Sequence, residues 1–565
     1  MATKTKKTAT SRAEQRALLK LSPFELKDKL ISLAAESTRG SAVQMLNAGR
    51  GNPNWICTTP REAFATLLSF GIEESRRDIK LPDLGRMPER EGIAKRFAAF
   101  LQTNAAAPGA KLLRASLDYG VKVLNFDADT FAFELAESVI GCMYPVPDRM
   151  LTCTERIVHE FLAREMCAGK PPAGRFDLFA VEGGTAAMCY IFDSLMLNCL
   201  LHRGDTVALG VPTFTPYMEI PHFDRYAFKV VNLDASKELR PDGTHSWQYA
   251  DAEIDKLADK RIKAFFLVNP SNPPSYAMRE SSMKRLVKLV KTKRPDLVII
   301  TDDVYGTFVP GFRSLMAELP HNTIGVYSYS KHFGCTGWRL GVVAIHQDNV
   351  FDKLLKKLSA KDRAQLNHRY SSITLAPEKL KFIDRMVADS RQVALNHTAG
   401  LSMPQQIQMA LFSLFALLDT EDSYKTLCNL IVRRRLKALF DGLGLTPPID
   451  ENRASYYTEL DLMVWAQQSY GPDFVEFLGK HYECTDVLFR LAEKSGVVLM
   501  PGGGFGGPEW SVRVSLANLP EDTYPKIGEM LREAAQGYVD EWQDSKPPAR
   551  WRSRADRHGR KEEEP

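Results

Sequence analysis

Apolar residues occur along the chain in two patterns, as short continuous runs and as longer stretches with helical spacing. The continuous runs cover residues 178–181, 207–211, 264–268, 297–301, 323–327 and 341–345. Runs of this kind are typical of strands buried on both faces of a sheet. Amphipathic stretches such as Glu280–Lys293 separate them. The pattern therefore predicts an α/β fold with a mostly parallel sheet flanked by helices over residues 112–380.

The sequence on either side of this region has a different pattern. Residues 381–543 read mainly as helix, with amphipathic stretches at 406–418 and 424–442 and a short strand and loop at 497–516. We expect this C-terminal part and an N-terminal segment at 21–111 to form a smaller α+β domain. The two ends, residues 1–20 and 544–565, are polar and charged, and they predict disordered tails.

Composition narrows the class of protein. The chain has 565 residues, of which 44% are hydrophobic and 25% charged, and this excludes a fully disordered, collagen-like or coiled-coil protein. No apolar run approaches the length of a membrane span, and residues 1–20 lack the apolar core of a secretory signal, so no membrane association is expected. Nine scattered cysteines without a C-x-x-C pair favour reduced thiols in a cytoplasm over disulfides or a metal site.

The net charge of +5, taken by itself, suggests an anionic partner, but its distribution along the chain does not support one. Residues 1–20 carry +5 and residues 545–565 carry +3, which leaves the rest of the chain at about −3. Solvated tails explain this distribution better than a nucleic-acid interface. We therefore expect no nucleic-acid partner.

Unusual residues follow four of the predicted strands, where ligands bind in sheets of this type. Each group has an ordinary structural explanation when taken alone: a turn and helix cap, a rigid loop, a second cap and a solvated lysine. The groups are Glu182-Gly183-Gly184-Thr185, Asn269-Pro270-Ser271-Asn272-Pro273-Pro274-Ser275, Asp302-Asp303-Val304-Tyr305 and Ser328-Tyr329-Ser330-Lys331 with Arg339 eight residues further on.

In this order, the motifs resemble those of the fold type I pyridoxal-phosphate enzymes of the aspartate aminotransferase family. The resemblance covers residues 170–520 and implies a large domain with a seven-stranded sheet plus a smaller α+β domain. It makes Lys331 the lysine that forms the imine with the cofactor and Asp302 the partner of the pyridine nitrogen. The remaining cofactor contacts that it implies are the phosphate ligands Gly184, Thr185, Ser328 and Arg339, the ring-oxygen ligands Tyr305 and Asn272, and the stacking residue Phe214.

The same resemblance assigns the substrate contacts. Arg513, in Val512-Arg513-Val514-Ser515, matches the arginine that binds the substrate α-carboxylate, and an arginine fork suits a carboxylate. A dianionic substrate suggests a second cation, for which Arg50 between two glycines is the candidate; the alternative is a surface arginine in a turn. Tyr144 resembles a tyrosine that reaches the cofactor phosphate of a partner subunit, which implies a homodimer or a larger assembly of dimers.

Departures from the usual pattern favour one branch of the family. Pro274 and Ser275 replace the Thr-Gly of the usual N-P-T-G, 174 residues separate Arg339 from Arg513, and extra sequence occurs at 71–110 and 350–400. These features resemble aspartate 4-decarboxylases, which convert L-aspartate to L-alanine and CO₂ and keep some aminotransferase activity with a 2-oxo acid acceptor.

Three functions therefore stay open on the sequence. The first is β-decarboxylation of aspartate, the second is aminotransfer alone, and the third is a non-catalytic protein that binds a partner through its basic tails. The intact set of site residues disfavours the third. The glycine-rich stretch Gly502-Gly503-Gly504-Phe505-Gly506-Gly507 matches G-x-G-x-x-G, but Pro508 follows where a helix should begin, so we predict a loop and no dinucleotide site.

Overall fold

The computed structural model describes residues 10–39, 45–79, 81–391 and 400–546. Its strands, labelled in chain order, form three sheets within these residues. They are β1 (Leu46–Asn47), β2 (Phe176–Val181), β3 (Thr206–Val211), β4 (Lys229–Asp234), β5 (Ile262–Val268), β6 (Val298–Asp302), β7 (Thr323–Ser328), β8 (Gly341–His346), β9 (Tyr457–Asp461), β10 (Val497–Val498), β11 (Met500–Pro501) and β12 (Ser511–Ser515).

The helices fall into an N-terminal group, a group around the large sheet and a C-terminal group. In chain order they are α1 (Arg12–Leu18), α2 (Pro23–Thr38), α3 (Thr59–Arg76), α4 (Ile93–Thr103), α5 (Ala110–Lys122), α6 (Ala128–Ile140), α7 (Thr152–Met166), α8 (Gly184–Leu197), α9 (Thr215–Glu219), α10 (Asp251–Asp255), α11 (Glu280–Lys293), α12 (Leu315–Glu318), α13 (Val350–Lys356), α14 (Ala360–Tyr370), α15 (Phe382–Ser390), α16 (Met403–Leu418), α17 (Ser423–Leu443), α18 (Leu462–Tyr470), α19 (Pro472–His481), α20 (Asp486–Ser495) and α21 (Tyr524–Ser545).

The large sheet has the strand order β2-β8-β7-β6-β5-β3-β4 and is parallel except at β8. Alternate residues of a strand pack on opposite faces: Phe266 lies in one hydrophobic cluster, whereas Phe265 and Leu267 lie in the other. Helix α11 covers the second face with Leu286 and Leu289. This sandwich explains the continuous apolar runs, because both faces of these strands are buried.

The predicted α/β fold with a mostly parallel seven-stranded sheet is confirmed. Six of its strands coincide with the apolar runs, but β4 has no such run in the sequence. As an edge strand, β4 is partly exposed along most of its length, so its composition lacks the signal of a doubly buried strand. Helix α11 has the bounds that its amphipathic spacing predicts.

A second core lies between the chain ends. Residues Leu26 and Leu30 of α2 pack with α17, α20 and α21 and with β10 and β12. β1 pairs with β10 in parallel, and β12 lies antiparallel between β11 and β9. Helix α2 and strand β1 of the N-terminal segment therefore share a core with C-terminal elements, and the smaller α+β domain stays a prediction.

The other helices of the segment 21–111, α3 and α4, lie in a separate cluster that extends past residue 111. Helices α3 to α6 pack with α7 and α16 in a third hydrophobic cluster, which includes Phe70, Phe97 and Phe131. The large amphipathic face of α4 is the reason, because its buried residues at 93, 97 and 101 recur with helical spacing and need an apolar partner.

The prediction of a disordered tail over residues 1–20 is wrong for α1. Ser11 and Glu14 form a capping box at its start, and the Arg12 and Arg16 side chains bind Glu483. The polar composition of this segment predicts disorder, but ion pairs with a distant segment stabilise the helix. Residues 1–9 and 547–565 lie outside the described part of the chain, so the rest of both predicted tails is not tested. None of the described helices combines the length and apolarity needed to cross a bilayer.

Candidate active site

A cavity of about 340 Å³ opens at the carboxyl ends of the parallel strands, which is where such sheets bind ligands. Ten of the twelve residues predicted for the site line it. They are Gly184, Thr185, Phe214, Asn272, Asp302, Tyr305, Ser328, Lys331, Arg339 and Arg513. Residues more than 300 positions apart in sequence thus share one wall. Most of them lie near strand ends of the large sheet, whereas Arg513 comes from β12 of the three-stranded sheet.

Lys331 projects into the cavity from the loop after β7. Its Nζ donates a hydrogen bond to the Gly51 carbonyl at 3.1 Å. The Tyr456 hydroxyl donates to the same carbonyl at 2.9 Å. A side chain at Gly51 would not fit, since a Cβ there would lie 2.5 Å from the Tyr457 hydroxyl oxygen and 3.5 Å from the lysine nitrogen.

Asp302, the last residue of β6, lies at the bottom of the cavity and is 5% exposed. The Tyr217 hydroxyl donates to its Oδ2 at 2.7 Å, and the Val304 amide donates to its Oδ1 at 3.2 Å. Burial raises the pKa of this carboxyl, while these two hydrogen bonds and the charge of Lys331 oppose the rise. The arrangement suits a cationic partner such as a protonated ring nitrogen, which would favour the carboxylate.

Another part of the cavity wall, which we call the anion end, is built for an anion. Helix α8 begins at Gly184 with no side-chain cap, so its first amides are available to a ligand. The Arg339 guanidinium lies against this turn and donates to the carbonyls of Glu182 at 3.3 Å and Thr336 at 3.0 Å. Gly183, with φ +88°, allows this approach, since a Cβ there would lie 2.7 Å from a guanidinium nitrogen.

Arg513 is 2% exposed and lies on β12. It donates to Asn272 Oδ1 at 3.1 Å and to the Gly49 carbonyl at 2.8 Å. Its guanidinium lies 4.5 Å from the ring centroid of Tyr457 and 4.8 Å from that of Phe505. No carboxylate among the described residues forms an ion pair with it, and its Nε is buried without a partner. A buried arginine of this kind suits a free carboxylate.

Two aromatic residues complete the predicted set. The Tyr305 hydroxyl donates to the Tyr457 hydroxyl at 3.2 Å, and burial raises the pKa of Tyr305 well above its ordinary value. Phe214 caps the start of α9 and meets the rings of Tyr217 and Phe24 edge to face, with centroids at 5.3 and 5.9 Å. Both aromatics therefore hold defined positions on the cavity wall.

Two predicted residues lie apart from this wall. Arg50 is exposed and does not line the cavity, although its neighbour Gly51 does. Tyr144 is 64% exposed on the loop between α6 and α7. The glycines around Arg50 bring the backbone to the site, as expected, while the side chain reaches solvent. The roles of Arg50 and Tyr144 stay predictions.

Sequence reasoning missed several residues of the wall. Tyr217 lies three positions after Phe214, one helical turn away, and that spacing could have indicated it. Tyr457 is brought in by the pairing of β9 with β12, opposite Ser515, and no local motif indicates it. The other missed residues are Phe24, Gly51, Asn52, Val268, Val304, Ser330 and Thr336. The glycine-rich stretch 502–507 is a loop with a 3₁₀ turn, as predicted.

These residues fit pyridoxal phosphate. A lysine amine, a buried carboxylate, and a helix start with an arginine match the aldehyde, the ring nitrogen and the phosphate of that group, and the glycines at 183 and 184 leave room for it. The seven-stranded sheet and this site define a fold type I pyridoxal-phosphate enzyme.

Comparison with known proteins gives the family. The model of aminotransferase class I and II matches residues 183–531. The chain is 48% identical over 532 residues, 94% of its length and 98% of the relative's, to a bifunctional aspartate aminotransferase and L-aspartate beta-decarboxylase from Pseudomonas sp.. It is 25% identical to a probable aspartate/prephenate aminotransferase from Aquifex aeolicus, over 76% of this chain and 95% of that one. The chain therefore belongs to the class I and II aminotransferase family.

Solved structures agree on the fold. The aspartate aminotransferase from Rhizobium meliloti superposes with a TM-score of 0.57 at 16% identity, over 91% of this chain and 96% of that one. At this identity the likeness concerns the fold alone.

Proposed function

We propose that the protein removes the β-carboxyl group of L-aspartate as CO₂ and releases L-alanine, with a side activity as an aspartate aminotransferase. The observation that carries this proposal is the 48% identity, over nearly the whole length of both chains, to a relative named for these two activities. The cavity supports it, because it combines a lysine, a buried carboxylate and a buried arginine without a carboxylate partner.

Pyridoxal phosphate, when bound, supplies an aldehyde that condenses with amines and a ring that accepts the electrons released when a bond near the amino-acid nitrogen breaks. Lys331 would hold this group and, once freed by the substrate amine, would move a proton from the substrate Cα. Its Nζ is oriented toward that task by the Gly51 carbonyl. The same amine can later return a proton to carbon, which both proposed reactions require.

Asp302 would hold a proton on the ring nitrogen. The Tyr217 hydroxyl fixes one of its oxygens and the Val304 amide fixes the other, so the carboxylate cannot rotate away from the cavity. The anion end would bind the phosphate through the start of α8, Ser328 and Arg339, and Tyr305 and Asn272 would bind the ring oxygen. Phe214 would stack on the ring.

Arg513 would bind the substrate α-carboxylate. Asn272 and the Gly49 carbonyl hold its guanidinium from two sides, while the Tyr457 and Phe505 rings exclude water from its faces. The fixed fork positions the Cα–H bond relative to Lys331. Orientation of this kind lowers the entropic part of the barrier.

Arg50 is proposed to act near the side-chain carboxylate. A carboxylate that leaves as CO₂ must not be stabilised strongly in the ground state, so a loose and exposed contact is consistent with the chemistry. We expect Arg50→Ala to weaken aspartate affinity or decarboxylation severalfold, against Arg434→Ala on the exposed face of α17 as a control. Unchanged kinetics in both variants would remove Arg50 from the mechanism.

A second copy of the chain is proposed to complete the site. Tyr144 and its neighbours Met143 and Val146 are 64%, 44% and 68% exposed, which is a hydrophobic surface suited to a partner subunit. We propose a homodimer at least, with Tyr144 reaching the phosphate of the partner's cofactor. Sedimentation of the Tyr144→Phe variant together with its cofactor affinity separates assembly from phosphate binding.

The second candidate function is aminotransfer without decarboxylation, and it is favoured by the family model and by relatives named only as aminotransferases. Purified protein with added pyridoxal phosphate and L-aspartate alone separates the candidates. Catalytic alanine and CO₂ without an added 2-oxo acid support decarboxylation. Product that forms only with 2-oxoglutarate supports aminotransfer alone. No turnover with or without 2-oxoglutarate would contradict both candidate functions.

A further inference from the structure

A short antiparallel ladder joins the loop that carries Asn272 to the segment that precedes β9. The Ala277 amide donates to the Asn452 carbonyl at 2.8 Å, and the Ala454 amide donates to the Ser275 carbonyl at 2.8 Å. The ladder connects two walls of the cavity, since Asn272 belongs to one and the first residue of β9 belongs to the other.

The ladder ends at Ser455, which has φ +57°. A left-handed residue turns the chain, so the next amides no longer face the partner backbone. The amides of Tyr456 and Tyr457 donate instead to the Ser275 hydroxyl oxygen, at 3.1 and 3.3 Å. One side chain thus takes the place of the carbonyl that a continued ladder would offer.

Ser275 itself has an unfavourable backbone. Its φ is +70° and its side chain is fully buried. The N-P-T-G motif that this loop resembles has glycine at this position, which adopts such a φ without steric cost. A non-glycine residue with positive φ carries a steric cost, and it persists where the surrounding structure holds it in place. The two accepted hydrogen bonds are what the hydroxyl adds here.

The two tyrosines fixed by Ser275 are linked to the proposed reacting groups, Tyr457 directly and Tyr456 through the Gly51 carbonyl. The Tyr457 hydroxyl accepts from Tyr305, and the Tyr457 ring lies under Arg513. The Tyr456 hydroxyl donates to the Gly51 carbonyl, which also accepts from Lys331. A shift of this dipeptide would therefore displace the substrate arginine and the lysine together.

We propose that Ser275 is a positioning residue, which fixes the Tyr456-Tyr457 backbone and so sets the geometry between Lys331 and Arg513. The inference rests on the proposed function for its substrate, L-aspartate. It adds a residue that is not among those proposed to contact substrate or cofactor and that acts through Tyr456 and Tyr457.

The test compares two alanine variants of the same loop. Ser275→Ala removes the hydroxyl that binds the tyrosine amides. Ser271→Ala is the matched control, because Ser271 is also buried and, among the described residues, its hydroxyl accepts from the local Tyr276 amide alone, at 3.2 Å. Since each lost hydrogen bond has a modest net energy, we expect kcat to fall about tenfold in Ser275→Ala and less than about twofold in Ser271→Ala. Ser275→Gly removes the hydroxyl and relieves the backbone, so it replaces the alanine variant if that one does not fold.

A double-mutant cycle with Tyr457→Phe tests the route of the effect. If Ser275 acts through this dipeptide, the loss in the double variant Ser275→Ala/Tyr457→Phe is smaller than the product of the two single losses. The proposal would be overturned if the losses in kcat of the two single variants multiplied in the double variant. Equal losses in Ser275→Ala and Ser271→Ala would also overturn it. The rate is also measured as the single-turnover change in cofactor absorbance on mixing with L-aspartate. That readout still compares the variants if no CO₂ forms, in which case the proposed function fails separately.

Discussion

The two halves of the cavity are constructed differently. The half proposed to bind the cofactor, called the cofactor half, comes from strand ends of one sheet. Its residues Gly184, Asp302 and Lys331 each lie within a few positions of a buried strand. The substrate half joins Gly51 from the N-terminal segment to Tyr457 and Arg513 of the C-terminal sheet. Contacts between these distant segments set its geometry.

Because of this difference, the reaction class and the choice of substrate depend on different parts of the sequence. The reaction class depends on the cofactor half, whose local motifs can be recognised along the sequence. The choice of substrate depends on the substrate half, whose geometry depends on strand pairing and on single side chains such as Ser275. Changes in the two halves should therefore have different kinetic signatures.

The largest effect is expected in the cofactor half. Lys331→Ala removes the amine that is proposed to hold the cofactor and move the proton, and loss of such a group lowers kcat by about 10³-fold or more. Turnover of L-aspartate and the cofactor absorbance band measure it. Lys361→Ala, on the exposed face of α14, serves as the control and should match the unmodified protein. Substantial turnover by Lys331→Ala would contradict the assignment.

Arg513→Lys tests the substrate half. Lysine keeps the charge but loses the fork and the stacking between two rings, so we expect kcat/KM for L-aspartate to fall about 100-fold, mainly through KM. The cofactor absorbance should stay unchanged, which distinguishes this variant from those of the other half. Arg434→Lys is the surface control. An unaltered KM would show that the α-carboxylate binds elsewhere.

The sequence predicts the cofactor half better than the substrate half for a physical reason. Lys331 and Asp302 follow runs that are apolar because both faces of their strands are buried, so the pattern marks their positions. Tyr457 becomes part of the site only when β9 pairs with β12. Arg50 shows another limit of prediction from sequence. Its flanking glycines indicate that the backbone approaches the cavity, but they do not indicate the direction of the side chain.

Tyr217→Phe should have an intermediate effect within the cofactor half. It removes a hydrogen bond to the buried Asp302 carboxylate, and a bond to a charged group has a net energy that corresponds to about tenfold in rate. Steady-state kinetics and cofactor affinity measure the loss. Tyr226→Phe is a matched control, because this buried tyrosine binds Asp193 away from the cavity. Equal behaviour of the two variants would contradict a positioning role for Tyr217.

The smallest effect on turnover is expected from Glu459, which pairs with Arg513 across β9 and β12. Burial raises the pKa of this carboxyl to about 8. Because its pKa in the folded protein is higher than in the unfolded chain, folding favours the protonated form, and stability falls as the pH rises through the range between the two values. Glu459→Gln should remove this dependence.

Unfolding measurements at two pH values check the prediction. Between pH 6 and pH 8, the unmodified protein should lose about 2 kcal/mol of unfolding free energy relative to Glu459→Gln. Denaturant titrations of both proteins give the difference, and groups shared by the two cancel. Parallel pH profiles would show that the Glu459 carboxyl is not perturbed in the folded state.

The central claim is that both halves form one active site around Lys331. Borohydride reduction of the protein with bound pyridoxal phosphate, followed by peptide mass spectrometry, tests it most directly. We expect a phosphopyridoxyl group on the peptide that contains Lys331, and protection of that lysine when L-aspartate is present before reduction. Label on another lysine, or none on Lys331, would contradict it.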